Sequence, residues 1–167
     1  MSGAGVVARA PGALDRLAAT ALYLAGTALV ALALVEGWQV FARYVLNRSP
    51  SWTEPLAVLL MNLAMMLGAA YGVRTEAHFS FLLGVHAAPP PLRRLLLAVS
   101  RCVQAAVGLM LAVWGLRLAM HAWDVPMAGA TLPQGSAFLP LCVGGALIAL
   151  FALDNLVRAA DLRPPGD

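Results

Sequence analysis

Residues 17–35, LAATALYLAGTALVALALV, are nineteen consecutive uncharged positions between Arg16 and Glu36, and they decide the solvent in which this chain folds. A helix rises about 1.5 Å per residue and a bilayer's hydrocarbon core is roughly 30 Å thick, so a run of this length crosses it. Three more apolar runs follow, at residues 55–73, 102–116 with their flanks, and 138–153. Inside lipid a backbone must satisfy its own hydrogen bonds, which makes each run a helix rather than an open strand. The expected fold class is an all-α membrane protein with four transmembrane helices, at about 17–44, 53–74, 93–120 and 137–158. They form one domain over residues 1–167. The apolar core of a signal peptide is shorter, about 7–15 residues, so the first run reads as a retained helix.

Composition agrees. Hydrophobic residues make up 61% of the chain and charged residues 11%, against roughly 25% charged in an average soluble domain. There is no lysine, and all eleven cations are arginine. Their distribution sets orientation. One side holds Arg9, Arg16, Arg74, Arg93, Arg94, Arg158 and Arg163, with Arg101 just inside the third helix, while the other holds only Arg43, Arg48 and Arg117. The positive-inside rule then places both termini in the cytoplasm. Trp38, Phe41, Tyr44, Trp52, Trp114 and Trp123 gather at the opposite, outer interface, as aromatic belts do. A charge of +3 carried by loop arginines, without a basic run interleaved with aromatics, points to membrane lipid and not to nucleic acid.

The connections are short. Residues 1–13 are expected to be flexible. Asn47-Arg48-Ser49-Pro50-Ser51 is a compact turn, after which Ser51 or Thr53 is placed to cap the second helix and Pro55 suits its first turn. Between helices 2 and 3, residues 75–88 are too short to span and too apolar for a free loop, so a short segment lying in the interface is expected. Residues 124–135 carry Pro126, Gly129, Pro133 and Gly135 and read as a turn-rich outer loop.

Polar groups at membrane depth are costly and are the first candidates for function. Glu36 and Arg43 are seven residues apart on one face of an extended first helix, and Glu54 opens the second at similar depth. An ionic cluster of the three that pins the first hairpin is the expected arrangement, and a proton-coupling carboxylate is the alternative. Asn62 and Gln104 are placed to hydrogen-bond between helices, and Gly68 with Gly72 supplies a small-residue spacing for close helix packing within the chain or against a partner. Asp154 and Arg158, four apart, suit a surface pair. His78 and His86 fall in the inner connection and His121 near the outer end of helix 3, so they cannot face one another at one depth as a haem pair must. No Cys, His or carboxylate set has metal spacing and no nucleophile elbow is present. No cofactor, metal or enzymatic activity is expected.

The ordered set Phe41-Ala42-Arg43-Tyr44, Ser51-Trp52-Thr53-Glu54, Leu67-Gly68-Ala69-Ala70-Tyr71-Gly72-Val73-Arg74, His78 and Leu132-Pro133-Gln134-Gly135 before Pro140 resembles the small membrane (DctQ-like) subunit of tripartite ATP-independent periplasmic (TRAP) transporters. The resemblance runs from about residue 15 to 158. Pro55 stands where many relatives have a second acid, and Ser80-Phe81 where they often have an aspartate. The resemblance implies a small permease subunit that acts as scaffold for a large multi-span, elevator-type subunit. The system would take up a solute, such as a carboxylate or other organic acid, with sodium, after delivery by a periplasmic solute-binding protein. By that resemblance Arg43, Glu54, Arg74 and His78 belong to hairpin and interface architecture, and Glu36, Trp52, Asn62, Gly68 and Gly72 stand beside them as structural and interface candidates. Arg48, Arg117 and Asp124 are geometric candidates for contact with the binding protein. Two other readings are a homodimeric proton-coupled exporter titrating through Glu36, and a helical membrane scaffold without a transporter. The exporter would place its carboxylate near mid-helix, whereas Glu36 sits near the outer end.

Overall fold

In a computed structural model that describes residues 12–48, 50–75 and 89–161, the chain folds into four long helices. These are α1 (Ala13–Tyr44), α2 (Thr53–Arg74), α3 (Pro90–His121) and α4 (Leu139–Asp161), the last entered through a 3-10 turn at Gln134–Phe138. Each contains a stretch long and apolar enough to cross a membrane. The expected interfacial segment, with His78 and His86, and most of the expected flexible N-terminus lie outside the described residues.

Local chemistry sets the helix ends. α1 begins at Ala13, ahead of its apolar run, because Asp15 holds the first turn. Its carboxylate accepts the Gly12 N–H at 3.0 Å, while the Asp15 and Arg16 N–H groups donate to the Gly12 carbonyl at 3.0 and 3.1 Å. An acid there also suits the positive end of the helix dipole. Neither expected cap of α2 is used. Trp52 occupies that position without a side-chain bond, the Thr53 hydroxyl donates back to the Pro50 carbonyl at 2.8 Å, and the Ser51 hydroxyl donates to the Gly129 carbonyl at 3.3 Å. These bonds serve the turn and tie the two loops of the aromatic end together. Gly129 adopts φ 86° directly against the Ser51 carbonyl, a conformation and an approach that a side chain would not permit. The loop behind it is closed by backbone bonds from Gln134 to Val125 at 2.8 Å and from Gly135 to Ala122 at 2.9 Å.

The helices stand mainly in a row, in the order α1, α2, α4, α3, each packing on its neighbours. Lipid tails supply no hydrophobic drive between helices, so contact must come from close van der Waals approach over small residues. The α1–α2 seam is built on alanine. Ala18, Ala21, Ala25 and Ala28 are all buried, at alternating spacings of three and four, and Ala42 extends the same face. The α3–α4 seam is built on glycine. A methyl group on Gly108 would lie 2.6 Å from the Ala149 nitrogen, one on Gly145 would lie 2.6 Å from the Ala112 nitrogen, and one on Gly115 would lie 2.9 Å from the Cys142 nitrogen. Gly144 presses in the same way on Met66 where α4 meets α2. Beneath these contacts Phe151, Ala152, Ala70 and Ala18 form the innermost packing.

The expected close approach at Gly68 is not made within the chain. A Cβ there would meet nothing within 4 Å. The spacing signals that a helix has a small face but cannot say which neighbour uses it, and α2 turns Ala57, Leu67 and Ala70 inward instead.

This division gives a direct contrast. Gly145→Val should destabilise the chain by about 1–3 kcal/mol through overpacking against α3, seen as a lower unfolding midpoint in detergent. Gly68→Ala should leave that midpoint unchanged.

Candidate functional site

The strongest assembly of polar side chains lies at the arginine-rich end, where α1, α2 and α4 converge on Arg74. Arg74 closes the last turn of α2, and only 6% of its side chain is exposed. Its Nε and Nη2 donate to one oxygen of Asp15 on α1, at 3.0 and 2.6 Å. Its Nη1 donates to Asp154 on α4 and, at 3.4 Å, to the Asn155 side-chain oxygen. The guanidinium also sits over the Phe151 ring, 5.9 Å from its centroid, an attractive placement for a desolvated cation. Asp154 takes a second cation, Arg158, at 2.7 Å.

Backbone groups join the assembly. The second Asp15 oxygen is the one held by the Gly12 N–H, so both carboxylate oxygens are engaged. Asn155 is buried, and its amide donates to the Val73 carbonyl at 2.9 Å. That carbonyl is one of the four at a helix C-terminus that lack an intrahelical partner. The Thr75 hydroxyl donates to the Tyr71 carbonyl at 3.0 Å, next to it. Arg74 at the C-terminus of α2 and Asp15 at the N-terminus of α1 both match the sign that their helix dipoles favour.

Two carboxylates and two guanidiniums make the junction formally neutral, and four donor contacts nearly exhaust the fork of Arg74. Such a site spends its cation on holding helices together rather than on a ligand. Among the described residues, no group of three or more His, Cys, Asp or Glu side chains is placed to hold a metal ion. What the arrangement does is mechanical, since it fixes the registers of three helices at one height.

Sequence reasoning chose Arg74 but missed its partners. Asp15 was not singled out, and Asp154 was read as half of a surface pair with Arg158. The pair exists, but Asp154 is only 23% exposed and turns toward Arg74 as well. The missed signal was positional: acids and a buried-helix arginine all lie at one end of three apolar runs.

The expected Glu36–Arg43–Glu54 cluster does not form. All three side chains are exposed, and none makes an ion pair with another described residue. The heptad spacing puts Glu36 and Arg43 on one row but about 10 Å apart along the axis, and Glu54 lies on the exposed side of α2. Trp52 is exposed at the start of α2. Asn62, Gly68 and Gly72 are half-buried, with Asn62 hydrogen-bonded to no other described residue. Gln104 donates within α3 to Ser100 at 3.4 Å rather than across helices. Arg48, Arg117 and Asp124 are exposed at the aromatic end, Arg117 lying over the Trp114 ring at 5.5 Å. His78 falls outside the described residues.

The profile of the family described as "Tripartite ATP-independent periplasmic transporters, DctQ component" matches residues 32–162. The chain belongs to the DctQ family. No curated protein matches it. The match includes Arg74, Asp154 and Asn155 and begins beyond Asp15, so the α1 side of the junction lies outside the part that defines the family here. A DctQ chain is a transporter component, the small permease subunit of a TRAP system, and not a member of an enzyme family. A closed, neutral helix junction agrees with that role.

Arg74→Ala leaves two partly exposed carboxylates without their common cation. A loss of about 2 kcal/mol is expected, less than for a fully buried pair because both acids retain some solvent. Thermal unfolding in detergent measures it. Arg74→Lys should recover only part of the loss, because an ammonium cannot bridge two carboxylates as a planar fork does.

Proposed function

We propose that this small permease subunit is the stationary scaffold of a sodium-coupled uptake system. It would steady a large elevator-type membrane subunit that carries the solute, an organic acid delivered by a periplasmic binding protein. The family match over residues 32–162 carries the reading. Two features of the chain support the scaffold role. The side chains of its Arg74 junction are consumed in holding helices together, and its helices stand in a row that leaves two broad apolar faces for a neighbour. Orientation follows the arginine count, with both termini cytoplasmic and the loop bridged by Ser51 and Gly129 facing the periplasm.

On this reading Arg43 and Glu54 act in assembly and not in solute binding. Solute specificity then lies with the large subunit and the binding protein, and deleting this chain abolishes uptake without changing the binding protein's affinity.

Purification of the tagged chain from its native host in mild detergent should retain a large multi-span membrane protein in equimolar amount, identified by mass spectrometry. Recovery alone or as a homodimer would overturn the proposal. Arg43→Ala should lower the amount of assembled complex while apparent solute affinity in the remaining transporter stays unchanged. An altered affinity with normal assembly would refute the role given to that residue.

A further inference from the structure

One broad face of the α1–α2 hairpin carries features that the chain itself does not use. On α1, Leu22, Gly26, Leu29, Ala33 and Glu36 recur at spacings of four and three and are all exposed, so they share one side of the helix. On α2, Glu54, Val58, Met61 and Met65 do the same, and Gly68 and Gly72 continue their row. The two rows flank a single apolar groove of about 390 Å³, with Leu22 and Leu29 on one wall, Met61 and Met65 on the other, and Ala25, Gly26 and Ala64 between them. A Cβ on Gly26 or on Gly68 would meet nothing within 4 Å. Gly26 and Gly68 are therefore not spent on packing among the described residues.

Charge distinguishes this face from the others. Toward the aromatic end Glu36 lies four residues beyond Leu32 and Glu54 seven beyond Met61, the last lining residues on their helices, about 6 and 10 Å along the axes. Neither has a salt bridge or hydrogen bond to another described residue, and Arg43, a further seven residues along the α1 row, pairs with neither. Glu36 is the more demanding of the two. Side chains on a helix lean toward its N-terminus, so on α1 the lean carries this carboxylate back toward the apolar layer, whereas on α2 it carries Glu54 outward. An ionised carboxylate at the edge of the apolar layer calls for a cation, and no described residue pairs with it. The opposite groove, between α1, α2 and α4, is larger at about 440 Å³; neither groove is lined by a charged residue, and this face is set apart by the carboxylates of Glu36 and Glu54 on the rows that flank it. The exposed surface of α3 presents Val103, Val107, Leu109 and Met110, a composition suited to lipid tails.

Resting on the subunit reading above, we propose that this α1–α2 face seats a transmembrane helix of the large subunit, and that Glu36 pairs there with a cationic side chain of that helix. The groove takes the helix's apolar side chains, Gly26 and Gly68 allow its backbone to come close, and the flexible Met61 and Met65 adapt to its shape. The carboxylate sets its register.

The test uses membranes that contain the whole transporter. A photo-cross-linking amino acid at Leu29 or Met61 should form adducts with the large subunit, and the same group at Val103 or Leu109 of α3 should not. Glu36→Lys should lower recovery of the large subunit about tenfold, Glu36→Asp should keep most of it, and the helicity and unfolding midpoint of the isolated chain should not change. Adducts from α3 alone would overturn the proposed face, as would hairpin adducts only with lipid or with a second copy of this chain, while leaving the subunit reading intact. Unchanged recovery with Glu36→Lys would overturn the ion pair. Absence of any large subunit from the wild-type purification would remove the subunit reading itself, and this proposal with it.

Discussion

The position of one guanidinium constrains the architecture of the arginine-rich end. Arg74 ends α2 in a place where α1 and α4 both arrive with an acid, and it satisfies the two at once while lying over Phe151. A buried cation is expensive unless it is paired and hydrogen-bonded. The geometry therefore works as a condition: if either neighbouring helix slips along its axis by one residue, about 1.5 Å, a partly desolvated charge loses its partner. In a membrane, where apolar side chains gain little by choosing each other over lipid, such a condition specifies register more sharply than the surrounding alanines can.

The two seams of the row show why that matters unevenly. Between α3 and α4 the backbones interlock through Gly108, Gly115 and Gly145, and any axial slip would drive a Cβ into a neighbouring backbone. Register there is fixed by shape. Between α1 and α2 the buried stripe is alanine, every member nearly the same size, so sliding by a heptad would meet similar contacts. The Asp15–Arg74 pair at one end, and the short 45–52 connection at the other, remove that freedom. The same logic accounts for the length of α1, whose first turn reaches beyond the apolar run to present Asp15.

Much of this was legible in the sequence, and the failures share a cause. Uncharged runs of membrane length located all four helices, because that property depends on each segment alone. The ordered Arg43-Tyr44, Trp52-Thr53-Glu54 and Gly68-to-Arg74 features led to the right family for the same reason. Which faces meet was not legible. Gly68 belongs to a spacing typical of a packing motif yet meets no described neighbour, whereas Gly108 and Gly115, seven apart, and the adjacent Gly144 and Gly145 carry the tight contacts. Periodicity gives the faces of a helix but not their neighbours, and neighbours follow from the order of the row, in which α4 and not α3 stands beside α2. Asp15 was missed for the same reason, since it becomes meaningful only once α1 is known to pass Arg74. Glu36, Arg43 and Glu54 were joined by depth, but Glu36 and Arg43 stand about 10 Å apart along α1 and Glu54 pairs with neither.

The row itself has a consequence for how such a subunit works. A closed four-helix bundle would bury one face of every helix and present a convex, lipid-like exterior. Here the buried share of the apolar span falls from 39% in α4 to 6% in α3, so the chain is closer to a wall, rigid along its length at the glycine seam and clamped at one end by Arg74. A wall of this kind is poorly suited to enclosing a solute, because its grooves open sideways along the helices. It is well suited to stiffening something placed against it. Lateral contact over several turns of α1 and α2 would fix a neighbour's tilt, and the junction at Arg74 would pass any torque on α1 directly to α4. The three-helix ionic junction, with the buried cluster of Ala18, Ala70, Phe151 and Ala152 beside it, is the geometry that joins the three helices at that end.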